Sequence, residues 1–138
     1  MKGSLRSAPY GHVVTSSLPY KESVDRAKAL LKDEGFGVLC DIDVANTMRE
    51  KIGKTFRPYR ILGACNPSLA YEALSADPQL GLLLPCNVVI QEEDGRTIVS
   101  AIDTRALLAI SENPKLLPIA DEVNARLMRV LDKVAAAT

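Results

Sequence analysis

The chain has 138 residues, nearly half hydrophobic and a quarter charged, and its 17 acidic and 17 basic side chains leave a formal net charge of zero. That is one domain's worth of chain with apolar residues enough for a single core, and the balanced charge argues against electrostatically driven binding to nucleic acid or an anionic membrane. No run reaches the roughly 18 to 20 apolar residues of a membrane helix, no hydrophobic segment follows Lys2 and Arg6 as a secretory signal demands, and three cysteines are too few for a disulfide scaffold.

Residues 1–9 read as a short flexible arm ahead of a single domain at 10–138. Tyr10 to Ser16 alternates around Val13 and Val14 and predicts a first strand. Over Tyr20 to Glu34, Val24, Ala27, Leu30 and Leu31 fall on one helical face, with charge on the other. Gly35 then supplies a left-handed C-terminal cap and Phe36 the apolar contact that accompanies it. Phe36 to Ile42 predicts a second strand, and Asp43 a cap for a short helix that Gly53 closes after Ile52.

Arg57 to Cys65 predicts the third strand. Asn66 is a good N-cap, Pro67 suits the first helical position, and Leu69, Ala70, Ala73 and Leu74 make an apolar stripe that Asp77-Pro78 ends. Leu82 to Glu92 is so continuously apolar that it predicts a strand at least partly covered on both faces. Pro85 inside it implies an edge position or a bulge, because proline cannot donate to the ladder. Asp94-Gly95 marks a primed hairpin turn into a fifth strand, Thr97 to Asp103. Thr104 is placed to cap a short helix, Arg105 to Ile110. The last helix is expected from Pro118, with Ile119, Val123, Leu127, Val130, Leu131 and Val134 on one face. No internal repeat or linker interrupts the pattern. It is that of a single compact α+β domain, a mostly antiparallel sheet of about five strands covered by two main helices.

Two Cys-Asn pairs, Cys65-Asn66 and Cys86-Asn87, stand where apolar runs meet structure breakers. Cys65 precedes the start of a helix, near unpaired N–H groups and the positive end of the dipole, a setting that lowers thiol pKa values and favours the thiolate. A helical crossover is expected to bring Cys86 beside the third strand and within disulfide range of Cys65, a Cα separation of about 4.4 to 6.8 Å. The bland alternative is that free cysteines pack as small hydrophobes. Strand alternation supports it, grouping Cys65 with Tyr59, Ile61 and Gly63, and Cys86 with Leu84, Val88 and Ile90. Both readings stay open on the residues alone.

Zinc does not fit, since no Cys-x-x-Cys pair occurs, whereas two thiolates shared across a dimer axis suit a soft ion such as copper(I). Cys40 reads as structural in a buried strand. His12, the single histidine, reads as partly buried and hydrogen-bonded rather than catalytic. Arg57, Tyr59 and Arg60 crowd a strand start where an anion is one occupant and solvent the plainer one. Asp41 and Asp43 have the spacing of a magnesium pair, but capping already explains Asp43. Phosphate-loop, nucleophile-elbow and zincin motifs are absent. With two Phe and no Trp there is little for base stacking.

Across Tyr59-Arg60-Ile61-Leu62-Gly63-Ala64-Cys65-Asn66-Pro67, then Ala70, Ala73-Leu74, Pro78, Gly81 and Leu84-Pro85-Cys86-Asn87, the chain resembles the family known as domain of unknown function 302. The resemblance extends from Gly35-Phe36-Gly37-Val38 and Asp41-Ile42-Asp43 through Lys51-Ile52-Gly53 to Asp103, and covers roughly residues 10 to 135. It implies a TATA-binding-protein-like α+β fold and a homodimer, which zero net charge tolerates. It does not imply DNA binding, since fold analogy carries no function. The motif positions carried over are Cys65, Asn66, Pro67, Pro85 and Cys86, without an assigned role.

The expected function is a cytoplasmic homodimeric module that binds a small ligand or sulfur species at Cys65, Asn66, Pro67, Cys86 and Asn87. Cys65 would be the attacking or ligating thiol, and Cys86 its resolving partner. The alternative is a non-catalytic association module in which the cysteines only pack. Neither reading calls for a cofactor, nucleic acid or a membrane.

Overall fold

Alternating apolar positions extend five segments: β1 (Gly11–Ser16), β2 (Gly37–Asp43), β3 (Tyr59–Cys65), β4 (Cys86–Glu93) and β5 (Arg96–Ile102). In the computed structural model, which describes residues 8–136, they form one sheet in the order β1-β5-β4-β3-β2. Every neighbouring pair is antiparallel. The β4–β5 hairpin turns on Asp94 and Gly95, both at positive φ (53° and 76°) as a type I′ turn requires. Of the expected arm at 1–9, residues 1–7 lie outside the described residues.

The pleat sends Leu62, Ala64, Cys86, Val88, Ile90, Val99 and Ala101 to one face, where α1 (Tyr20–Asp33) and α5 (Leu117–Ala136) cover them. Val24, Ala27, Leu30 and Leu31 of α1 and Val123, Leu127, Val130, Leu131 and Val134 of α5 complete this core. Each fully buried Val, Leu or Ile side chain among them contributes roughly 1.5–3 kcal/mol by leaving water. α1 ends as expected. The N–H of Phe36 donates to Leu31 O (2.9 Å) and that of Gly35 to Lys32 O (3.0 Å), with Gly35 at φ 85°, the pattern of a Schellman cap.

Between β2 and β3, α2 (Val44–Ile52) is capped by the Asp43 carboxylate, which accepts from Asn46 N, and closed by left-handed Gly53. Between β3 and β4, α3 (Pro67–Ala76) is followed by a 3₁₀ helix, Pro78–Leu83. β5 leads into α4 (Thr104–Ala109), and a 3₁₀ turn at Pro114–Leu116 runs directly into α5. Among the described residues no helix is long and apolar enough to cross a membrane.

Three local expectations change. The apolar run from Leu82 is not all strand: β4 begins only at Cys86 and lies in the middle of the sheet, between β3 and β5. Pro85, joined to Leu84 by a cis peptide, stands just ahead of it, so no ladder bond is lost and no edge position is needed. The bulge falls instead in β2, between Val38 and Cys40. Asp103, not Thr104, caps α4, accepting from the N–H groups of Arg105 and Ala106. The buried Thr104 hydroxyl donates to Ala120 O at 2.8 Å and ties α4 to α5.

Candidate functional site

Antiparallel pairing brings the ends of β3 and β5 and the starts of β2 and β4 to one end of the sheet. α3, the following 3₁₀ helix and α4 close that end around a second apolar cluster of Ala73, Leu80, Leu108, Leu116 and Ala120. A cavity of about 40 Å³ lies where this cluster meets the main core. Phe36, Ala64, Cys65 and Asn66 form one side, Leu69, Ala70 and Ala73 the α3 wall, and Leu80, Leu84, Pro85 and Cys86 the crossover wall. Thr104, Leu108, Ile119 and Val123 complete it. The lining is almost wholly apolar. Asn66 Oδ1 is occupied as the α3 cap, accepting from Leu69 N at 3.2 Å, and the Thr104 proton goes to Ala120.

The β3–β4 register fixes what each signature residue does. Ala64 pairs with Cys86 and Gly63 with Asn87. Cys86 therefore turns with Ala64 toward the helices and the cavity, while Asn87 lies with Gly63 on the uncovered face and is exposed. Cys65, one residue past Ala64 and half-buried, also lines the cavity. Pro67 is exposed as the first residue of α3 and does not line it. The structure thus gathers Cys65, Asn66 and Cys86 and leaves Pro67 and Asn87 outside.

Cys65 and Cys86 are not at disulfide distance, and all three thiols are free. The crossover does make β3 and β4 neighbours, but the residue paired with Cys86 across the ladder is Ala64, not Cys65. Burial, and secondarily the neighbouring Cys65, pushes the Cys86 thiol up to about 11. It is protonated at neutral pH, and a protonated thiol is a poor nucleophile.

Cys40 also departs from expectation. It is exposed on edge strand β2, and its sulfur sits over Gly63. A Cβ at Gly63 would lie 2.6 Å from Cys40 Sγ and 2.9 Å from Pro85 Cγ, so the missing side chain makes the room for both. Cys40 and the cavity-lining Pro85 thus both close on the bare Cα of Gly63. A glycine inside a strand is itself the sign of such close approach, and it was the one clue available before the fold.

The remaining candidates are engaged elsewhere. His12 Nε2 lies 3.1 Å from Asn124 Oδ1 and 3.7 Å from Asp103 Oδ2, joining β1 to α5. Arg57 donates to Gln91 Oε1 at 3.0 Å and lies over the Phe56 ring. Arg60 donates to Asp41 at 3.2 Å, and Lys28 pairs with the same carboxylate at 2.6 Å. These carboxylates carry cationic side chains, the arginines carry carboxylate or amide partners, and no vacant anion or magnesium site is formed there. Among the described residues no group of three or more His, Cys, Asp or Glu side chains is arranged to hold a metal ion.

An α+β domain with a five-stranded antiparallel sheet, two long helices on one face and an apolar cavity at one end is the class this chain defines. The chain belongs to the family described as "Domain of unknown function DUF302", whose profile matches residues 12–134. It is similar to the structure described as "Crystal structure of uncharacterized conserved protein DUF302 from Bacillus stearothermophilus". That likeness has 32% sequence identity and a TM-score of 0.86 over 92% of this chain and 99% of the other. No curated protein matches the sequence.

Proposed function

We propose that the chain is a small-ligand-binding module whose site is the cavity between β3, β4 and α3. One observation carries this reading: Cys65, Asn66, Pro85 and Cys86 of the sequence signature all line the same apolar cavity of about 40 Å³. Natural cores are packed with few voids larger than a water molecule, and an apolar void stays dry and open to apolar guests. Within this reading Cys65 and Cys86 act as polarizable wall groups toward a neutral or sulfur-containing guest. The protonated Cys86 and the lack of disulfide distance speak against an attacking and resolving pair. Three free thiols suit a reducing, cytoplasmic setting.

The test is a titration of methyl-labelled protein with propane-1-thiol and with butan-1-ol, followed by NMR. Saturable shifts are expected at Ala64, Leu69, Ala73, Leu80 and Leu108, and their loss is expected in Ala70→Leu, which fills the cavity from α3. A folded protein whose cavity methyls do not respond to either probe would refute the reading.

A second reading, self-association as a homodimer, is favoured by a different region. Edge strand β2 exposes Leu39 and Ile42, α2 buries none of its side chains, and Ile52 and Phe56 beside it are also exposed. Exposed apolar side chains grouped in this way mark interaction surfaces. Light scattering on wild type and Ile42→Lys decides it. A dimer that the substitution dissociates supports the reading, and a wild type that stays monomeric at every concentration ends it.

A further inference from the structure

Resting on the cavity reading, we infer that the natural ligand is an aliphatic chain that inserts only its hydrocarbon end between α3 and the start of β4. Size is the first reason. A water-sized group needs about 10–15 Å³ of such volume, so a cavity of about 40 Å³ takes about three heavy atoms. The ceiling on binding per heavy atom limits so small a guest to a Kd of roughly a millimolar. Tighter binding needs a ligand whose remainder lies outside the cavity.

Chemistry is the second reason. Inside, the Thr104 proton and the Asn66 side-chain carbonyl are already bonded within the protein, and apart from the Asn66 amide nitrogen the side chains that line the wall are hydrocarbon and thiol. A polar or charged tip would find no adequate partner and would be buried unsatisfied. The third reason is the surface around α3. Leu74 lies one step round the helix from cavity-lining Ala70, and Tyr71 and Leu82 are 75% and 82% exposed on α3 and the 3₁₀ helix after it. A chain emerging on this side has apolar surface to run along. A peptide side chain is the less suited occupant, because its main chain demands hydrogen bonds. Among the described residues the one buried side-chain N or O atom without a hydrogen-bond partner is Arg60 Nε, at the far end of β3, where it lies 3.8 Å from Asp43 Oδ2.

The test measures binding of butanoate, hexanoate, octanoate and decanoate to the full chain by calorimetry and methyl NMR. Each added CH₂ that stays in apolar contact brings about a fourfold gain in affinity. Affinity is therefore expected to climb from butanoate to octanoate, with shifts at Ala73 and Leu80. Ala70→Leu is expected to weaken octanoate at least tenfold, and Leu82→Glu to weaken octanoate while leaving butanoate unchanged. Octanoate binding no tighter than butanoate, or more weakly than N-acetyl-leucine amide, would overturn the chain inference and leave the cavity reading intact. Cavity methyls silent to every probe, propane-1-thiol included, would overturn both.

Discussion

Cys86 and Gly63 show how single residues shape the cavity. Cys86 is held protonated by burial, so its thiol pKa is higher in the folded chain than in the unfolded one. At neutral pH both states are protonated and the linkage is silent. As pH rises past about 9 the unfolded chain loses this proton while the folded chain keeps it, and the equilibrium shifts toward unfolding until the folded thiol also ionises near 11. The loss amounts to about 2 kcal/mol across that window. Urea unfolding from pH 8 to 11 should show wild type losing more stability than Cys86→Ala by about that amount; parallel curves would contradict it. Gly63 makes room for Cys40 Sγ and Pro85. Gly63→Ala is expected to cost about 1–3 kcal/mol by overpacking, with part of the loss restored by Cys40→Ala. A Gly63→Ala protein as stable as wild type in urea would contradict the close approach.

At the scale of elements, the local signals read well wherever one residue does one job. Asn66 and Pro67 start α3, Asp43 and Gly53 bound α2, Gly35 and Phe36 end α1, and Asp94-Gly95 turns the hairpin. Asn66→Ala is expected to lower stability by about 1 kcal/mol through loss of the cap. It should also raise amide exchange in the first turn of α3, and unchanged exchange there would contradict the assignment. The reading failed where long-range contacts choose between equal local options. Asp103 and Thr104 are both good caps, and Thr104 is claimed by Ala120, 16 residues away. Leu82–Leu84 is apolar without a period, so nothing local separates a 3₁₀ turn over a second core from an extension of β4. Cys40 reads as structural because β2 has the pattern of a buried strand, but its place at the sheet edge is decided by the strand order.

For the whole molecule, the α+β class, the antiparallel sheet and its cover of two helices were legible because the periods of Val88–Ile90, Leu30–Leu31 and Leu127–Val134 agree with one layered packing. The cavity was not legible, because it belongs to the space between layers. Ala64, Ala70 and Ala73 come from two elements, and only the fold sets these small side chains around one gap. The register that separates Cys65 from Cys86 is equally a property of the pairing, not of either segment.

The central claim, that this gap is an open apolar site, is tested most directly by methyl NMR under xenon pressure, since xenon enters dry apolar cavities. Saturable shifts confined to Ala64, Leu69, Ala73, Leu80 and Leu108, and abolished in a folded Ala70→Leu, are the expected result. Shifts that are absent, spread over the main core, or unchanged by Ala70→Leu would contradict it.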